Sequence, residues 1–155
     1  MVRIRVVGIG KDKDQWVSDA IEHFGKLLSR WASLDWQMLA GPAGTRSAPE
    51  IRRQEATLIL SKCHPRATVI ALTDQGEQMD SLHLARRIES LLAHGSGKLL
   101  FVIGGAYGLD RSVLDRADVR LSLSPLTFSH QLVRPILAEQ LYRAFSILHG
   151  TDYHK

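Results

Sequence analysis

"KLLFVIGGAYG", residues 98–108, decides how the chain is read. Leu99 to Ile103 form an unbroken apolar run that passes straight into Gly104 and Gly105. A strand with no polar alternation is buried on both faces, which is the mark of a parallel sheet. Glycines directly after such a strand let the backbone turn sharply and let a ligand approach main-chain atoms. The spacing is not the dinucleotide fingerprint G-x-G-x-x-G, and no G-x-x-x-x-G-K-[ST] phosphate loop occurs elsewhere.

Outward from this run the same grammar repeats. "ATVIAL" (67–72) is a second continuously apolar strand. Ser81 opens a helix with Leu84, Ala85, Ile88, Leu91 and Leu92 on one face. Near the start, Val2, Ile4 and Val6 alternate with Arg3 and Arg5, which predicts a half-exposed strand. Asp12 is the expected N-cap of the next helix, with Gln15 three residues on. Trp16, Val17, Ala20, Ile21, Phe24, Leu27, Leu28 and Trp31 follow at helical spacing. "LDWQMLA" (34–40) is a strand, and "GPAGTRSAP" (41–49) is a loop. Ser47 and Glu50 form a capping box for a helix through about Cys63. Past the glycines come a short helix (about 110–117), the strand "DVRLSLS" (118–124) and a last helix (about 130–149). Pro135 lies inside that helix and is expected to kink it or delay its start.

Strands separated by helices imply right-handed crossovers and a mainly parallel sheet. The expectation is one three-layer α/β domain spanning residues 1–155.

The bulk composition fits. A chain of 155 residues, 45% apolar and 23% charged, needs no disulfide or metal to be stable. Cys63 is the single cysteine, so no internal disulfide can form. Twenty Lys and Arg against sixteen Asp and Glu give a net charge of +4, a mild bias that permits a nucleic-acid partner without requiring one. No apolar run approaches the roughly 20 residues of a membrane span. Arg3 and Arg5 interrupt the first apolar stretch, so no signal peptide is expected and a cytoplasmic location follows. None of the seven histidines pairs with another or with Cys63 at structural-zinc spacing, so no metal is expected. No G-x-S-x-G nucleophile elbow is present.

Ligands of open parallel sheets collect outside the carboxyl ends of the strands. The segments there are "TDQGEQ" (73–78), "GGAYG" (104–108) and "SPLTFSH" (124–130). In the last helix Glu139 and Arg143 stand i,i+4 and face each other. Chemistry alone reads that pair as a surface ion pair on a core helix. The chain closes on "GTDYHK" (150–155), where Gly150 ends the helical pattern and a phenol, an imidazole and an ammonium follow.

"FVIGGAYGL" (101–109), "LSLSPLTFSHQLVR" (121–134), "AEQLYRAFSI" (138–147) and the terminal "YHK" (153–155) together resemble the RlmH (YbeA-type) family of 23S rRNA pseudouridine N3-methyltransferases, of the SPOUT class. The resemblance covers the whole chain. It implies a deep trefoil knot in the C-terminal half of the sheet, S-adenosylmethionine as cofactor, and a homodimer whose active sites draw on both subunits. The implied substrate is a pseudouridine in a 23S rRNA stem-loop of the assembled ribosome. The cofactor pocket would fall on Leu72, Gly104, Leu123, Ser124, Pro125, Leu126, Thr127 and Phe128. His154, Arg143 and Tyr153 would be catalytic, with His154, or a water it holds, taking the N3 proton. His130, Glu139, Lys155, Arg134, Arg46, Arg52 and Arg53 would meet RNA, with Lys11 and Lys13 as further basic groups. Two alternatives stand beside this: a SPOUT methyltransferase acting on tRNA, and a non-catalytic ribosome-binding α/β protein.

Overall fold

The structure, a computed structural model, describes residues 1–10, 14–44 and 46–155. Its middle strand is β4 (Lys98–Ile103), in which every residue after Lys98 is buried. On one side β4 pairs with β1 (Val2–Ile9), and β1 pairs with β2 (Ala32–Leu39). On the other side lies β3 (Thr68–Gln78), followed by β5 (Val119–Ser122). The order is β2-β1-β4-β3-β5, with every pairing parallel. The carboxyl ends of all five strands therefore share one edge.

Helices cover both faces. α1 (Gln15–Leu28), α3 (Ser81–His94) and α5 (His130–Leu148) pack on one, burying Ile4, Phe101, Ile88, Leu137 and Leu141 against the sheet. α2 (Ala48–Leu60) and α4 (Arg111–Arg116) cover the other, over Val7, Val69 and Val102. This is the three-layer α/β arrangement that the strand–helix alternation predicts.

Local chemistry sets the boundaries. Ser47 Oγ accepts the Glu50 N–H at 3.4 Å, so α2 starts at the expected cap; it ends at Leu60 rather than near Cys63. The cap expected at Asp12 lies outside the described residues, and α1 begins after Asp14. Ser129 caps α5 by accepting the Leu132 N–H at 3.3 Å. That helix runs through Pro135 without a delayed start. Pro135 sits in the second turn, so only a bond to the Gln131 carbonyl is forgone, and the fixed φ of proline is already helical. Gly150, at φ +67°, closes the helix, and the Thr151 N–H returns to the Ser146 carbonyl at 3.0 Å.

β3 is longer than its apolar run. Residues 68–72 pair with β4, and residues 77–78 pair again with β5, so that Leu72 and Glu77 both stand opposite Leu121. The residues between bulge outward at the carboxyl edge. Gly76 lies directly on β5: a Cβ there would stand 2.7–2.8 Å from backbone atoms of Arg120 and Leu121. Gly76→Ala should therefore cost about 1–3 kcal/mol. Gly25 in α1 has open space around its Cβ direction, so Gly25→Ala should stabilise by about 0.5–1 kcal/mol. Thermal unfolding of the two variants should move in opposite directions.

Candidate active site

Three strand ends converge on one cavity of about 380 Å³. β3 contributes Leu72, Thr73 and Asp74. β4 contributes Ile103 and the turn from Gly104 to Leu109. The segment after β5 contributes Leu123, Ser124, Leu126, Thr127 and Phe128, and the start of α5 adds His130 and Val133. Of the eight expected cofactor residues, all but Pro125 line this cavity. The segment after β5 is shaped by its own hydroxyls. Ser122 Oγ donates to the Ser124 carbonyl at 3.1 Å, and Ser124 Oγ accepts the Leu126 N–H at 3.0 Å.

The wall is apolar where Leu72, Ile103, Leu126 and Phe128 stand. Gly104 must lack a side chain, because a Cβ would lie 2.9 Å from the Gly108 backbone and 3.0 Å from Leu109. Asp74 is the only carboxylate on the wall among the described residues. Sequence reasoning passed over Asp74 and Thr73, although "TDQGEQ" stands at the strand end where such a residue is sought.

A second polar cluster occupies the C-terminal half of α5 and the tail. Arg143 pairs with Glu139 Oε1 through Nε at 3.0 Å and through Nη2. Tyr153 Oη donates to the same oxygen at 2.9 Å, and the Arg143 guanidinium lies 4.7 Å from the Tyr153 ring centre. Glu139 Oε2 accepts from Gln140, whose own carbonyl oxygen accepts from Ser81 Oγ, both at 2.8 Å. His154 Nδ1 lies 3.2 Å from Arg143 Nη1. A guanidinium only donates, so Nδ1 accepts and the ring proton sits on Nε2. The hydrogen bond and charge of Glu139 hold the Arg143 guanidinium above its usual range. Burial first, and then the bond to Glu139, push the Tyr153 phenol up.

The two groups do not meet within one chain. His130 and Val133 reach the cavity, whereas Arg143 lies ten residues beyond Val133 on the same helix, roughly 15 Å along the axis. His130 therefore belongs with the cavity and Glu139 with the tail cluster.

Arg134 departs from the RNA contact expected of it. It is wholly buried, and its Nη2 donates to the carbonyls of Ile9 and Gly10 at 3.4 and 3.5 Å. It ties the first turns of α5 to the end of β1 and presents no group to a polyanion. Arg46 and Lys155 are exposed. Arg52 and Arg53 lie near Asp110, the N-cap of α4, just past the glycine turn. Lys11 and Lys13 lie outside the described residues. Among the described residues no group of three or more His, Cys, Asp or Glu could hold a metal ion, and no helix is long and apolar enough to cross a membrane.

A cavity walled by glycine and apolar side chains at the carboxyl edge of a parallel α/β sheet is where folds of this class bind small ligands. The chain belongs to the SPOUT methyltransferase family: residues 2–154 match the family described as "Predicted SPOUT methyltransferase". It is 42% identical over 159 residues to "Ribosomal RNA large subunit methyltransferase H" of Bifidobacterium animalis, covering 99% of this chain and 100% of that one. Proteins of the same name from Bacillus pumilus (99% and 100% covered) and Pelobacter propionicus (99% of each) are both 40% identical to it.

Because the folded state favours the protonated Tyr153, it holds more protons than the unfolded chain just above the ordinary phenol range. Stability from this group is present below about pH 10 and lost as pH rises through the raised value. Tyr153→Phe should remove that alkaline loss, read as a flatter dependence of the unfolding midpoint between pH 9 and 11.

Proposed function

We propose that this chain methylates N3 of a pseudouridine in 23S rRNA of the large ribosomal subunit, with S-adenosylmethionine as donor. The cavity carries the reading. Its size lies within the usual range for small-ligand pockets, and its apolar wall suits an adenine ring. Gly104 lets a ligand reach main-chain N–H and carbonyl groups, and Asp74 suits the cationic end of the molecule. Bound there, the cofactor supplies an electrophilic methyl group. Leu72, Leu126 and Phe128 would hold its adenine and the backbone of residues 123–128 the rest, a snug seat that would limit the swing of the methyl group.

The roughly 15 Å along α5 between Val133 at the cavity and Arg143 in the tail cluster supports a site composed from two protomers, with the tail of one over the cavity of its partner. Glu139 fixes Arg143 and Tyr153. Arg143 and Lys155 favour the N3 anion by holding its flanking oxygens, and Tyr153 packs on the base. His154 takes a different part from the proton acceptor first expected. Its one acceptor nitrogen is engaged by Arg143, so it offers Nε2–H to the developing anion, and solvent removes the proton. The resemblance adds a trefoil knot, and the double pairing of β5 with β3 is compatible with a threaded chain.

Mass spectrometry of 23S rRNA from cells with and without this protein, and labelled methyl transfer to ribosomes against tRNA, test the substrate. Loss of methylation at one pseudouridine, and transfer to ribosomes alone, is the expected result. Glutamine keeps a donor near the position of Nε2–H, so His154→Gln should retain most activity where His154→Ala loses it. Equal loss in both would restore the base role. Gly104→Leu and Arg143→Ala dimers should each be inactive, yet mixed one-to-one they should regain about a quarter of wild-type sites. No recovery would place each site within a single chain. Reversing the charges of Arg52 and Arg53 should weaken ribosome binding and lower its salt slope by about two.

A further inference from the structure

Glu55 is a buried acid that none of the roles above uses. It stands on α2, only 4% exposed, and its Oε2 has no hydrogen-bond partner. A Cβ built on Gly105 would run into that same oxygen and lie 3.0 Å from Oε1. The carboxyl group is therefore pressed against the outer side of the Gly104–Gly108 turn, and the inner side of that turn lines the cofactor cavity. Burial pushes its carboxyl above the ordinary range. Among the described residues the N–H groups of Ala106 and Tyr107, at the tip of the turn, have no backbone partner. An acceptor without a donor thus faces a turn with donors to spare, separated by one glycine.

We infer that Glu55 is the positioning residue of the glycine turn: when cofactor is bound, its free oxygen takes the backbone N–H of Ala106 or Tyr107, and so braces the cavity wall from its outer side. The inference rests on the cofactor reading above. A buried carboxyl that satisfied only the fold would have its partner already, because an orphaned buried acceptor is costly. Here, among the described residues, the orphan lies against the ligand-binding turn, whose tip amides have no backbone partner. Gly105 is small for the same reason, since any side chain would hold the turn away from the carboxyl.

The test separates folding from positioning. Glu55→Leu replaces a desolvated acid with an apolar group of similar length, so its unfolding midpoint should equal or exceed that of the wild type. Its affinity for S-adenosylmethionine, measured by calorimetry, should nevertheless fall about tenfold or more. Glu55→Gln keeps an acceptor and should bind within about threefold of wild type. In the wild type, S-adenosylmethionine should slow hydrogen exchange at the Ala106 and Tyr107 amides, and in the Leu variant it should not. Wild-type affinity in a folded Leu variant overturns the inference, as does affinity that falls only in step with a lowered midpoint. If the Leu variant fails to fold, the wild-type exchange decides: no slowing at either amide also overturns it. A wild-type protein that does not bind S-adenosylmethionine at all would instead remove the cofactor reading itself.

Discussion

One residue of β5 is claimed twice by a single neighbouring strand. Leu121 stands opposite both Leu72 and Glu77 of β3, and the geometry of the cavity follows from that constraint. The four residues between the two pairings cannot lie in the sheet, so they arch out at its carboxyl edge and carry Asp74 to the cavity wall. The return pairing brings Gly76 onto the backbone of β5 so closely that only hydrogen fits. β5 is four residues long, and the chain leaves the sheet after Ser122. It turns through Leu123 to Ser129, bracing itself with Ser122 and Ser124, and enters α5 beside the glycine turn of β4.

Much of this was legible in the sequence. The apolar runs 67–72 and 99–103 marked two interior strands, because a strand covered on both faces cannot alternate; that the two are neighbours is a finding of the structure. The glycines after β4 and the Ser47 cap were legible because their chemistry is local. What escaped was decided at long range. "TDQGEQ" is polar and reads as a loop, yet its end pairs with β5 through backbone groups that carry no sequence signal. Arg134 reads as one more helix cation, and only the approach of the end of β1 buries it. Glu55, between Gln54 and Ala56, looks like any acid on a helix, and its burial depends on a turn fifty residues away. The positions of the site residues along α5 were plain, but their separation was not. A family pattern groups residues that serve one reaction, and a single chain need not bring them together.

The tail is held by more than its polar contacts. Tyr153 packs on Tyr142 with ring centres 4.6 Å apart, Tyr142 stacks near Trp31, and Trp31 stacks on His149 at 4.7 Å. This run of rings joins the turn between α1 and β2, α5 and the tail. Beside it Glu139 serves as a single anchor for three donors, Arg143, Tyr153 and Gln140, without itself being deeply buried. The Glu139–Arg143 pair, which by spacing alone looks like a weak surface bridge, becomes half-buried and shared among Tyr153, His154 and Gln140. Ion pairs gain in strength and direction when so enclosed.

The helix cap at Gly150 has a consequence for how the two halves of the site come into being. Every member of the tail cluster except its outer brace at Ser81 lies between Glu139 and His154, so the cluster closes over a short stretch of chain as soon as α5 turns back on itself. The cavity must wait for Leu72, Gly104 and Phe128, which meet only when three parallel strands have found their register. Short closures are entropically cheap and long ones are not. One half of the site is thus a local habit of a single helix, and the other is a late product of the whole sheet.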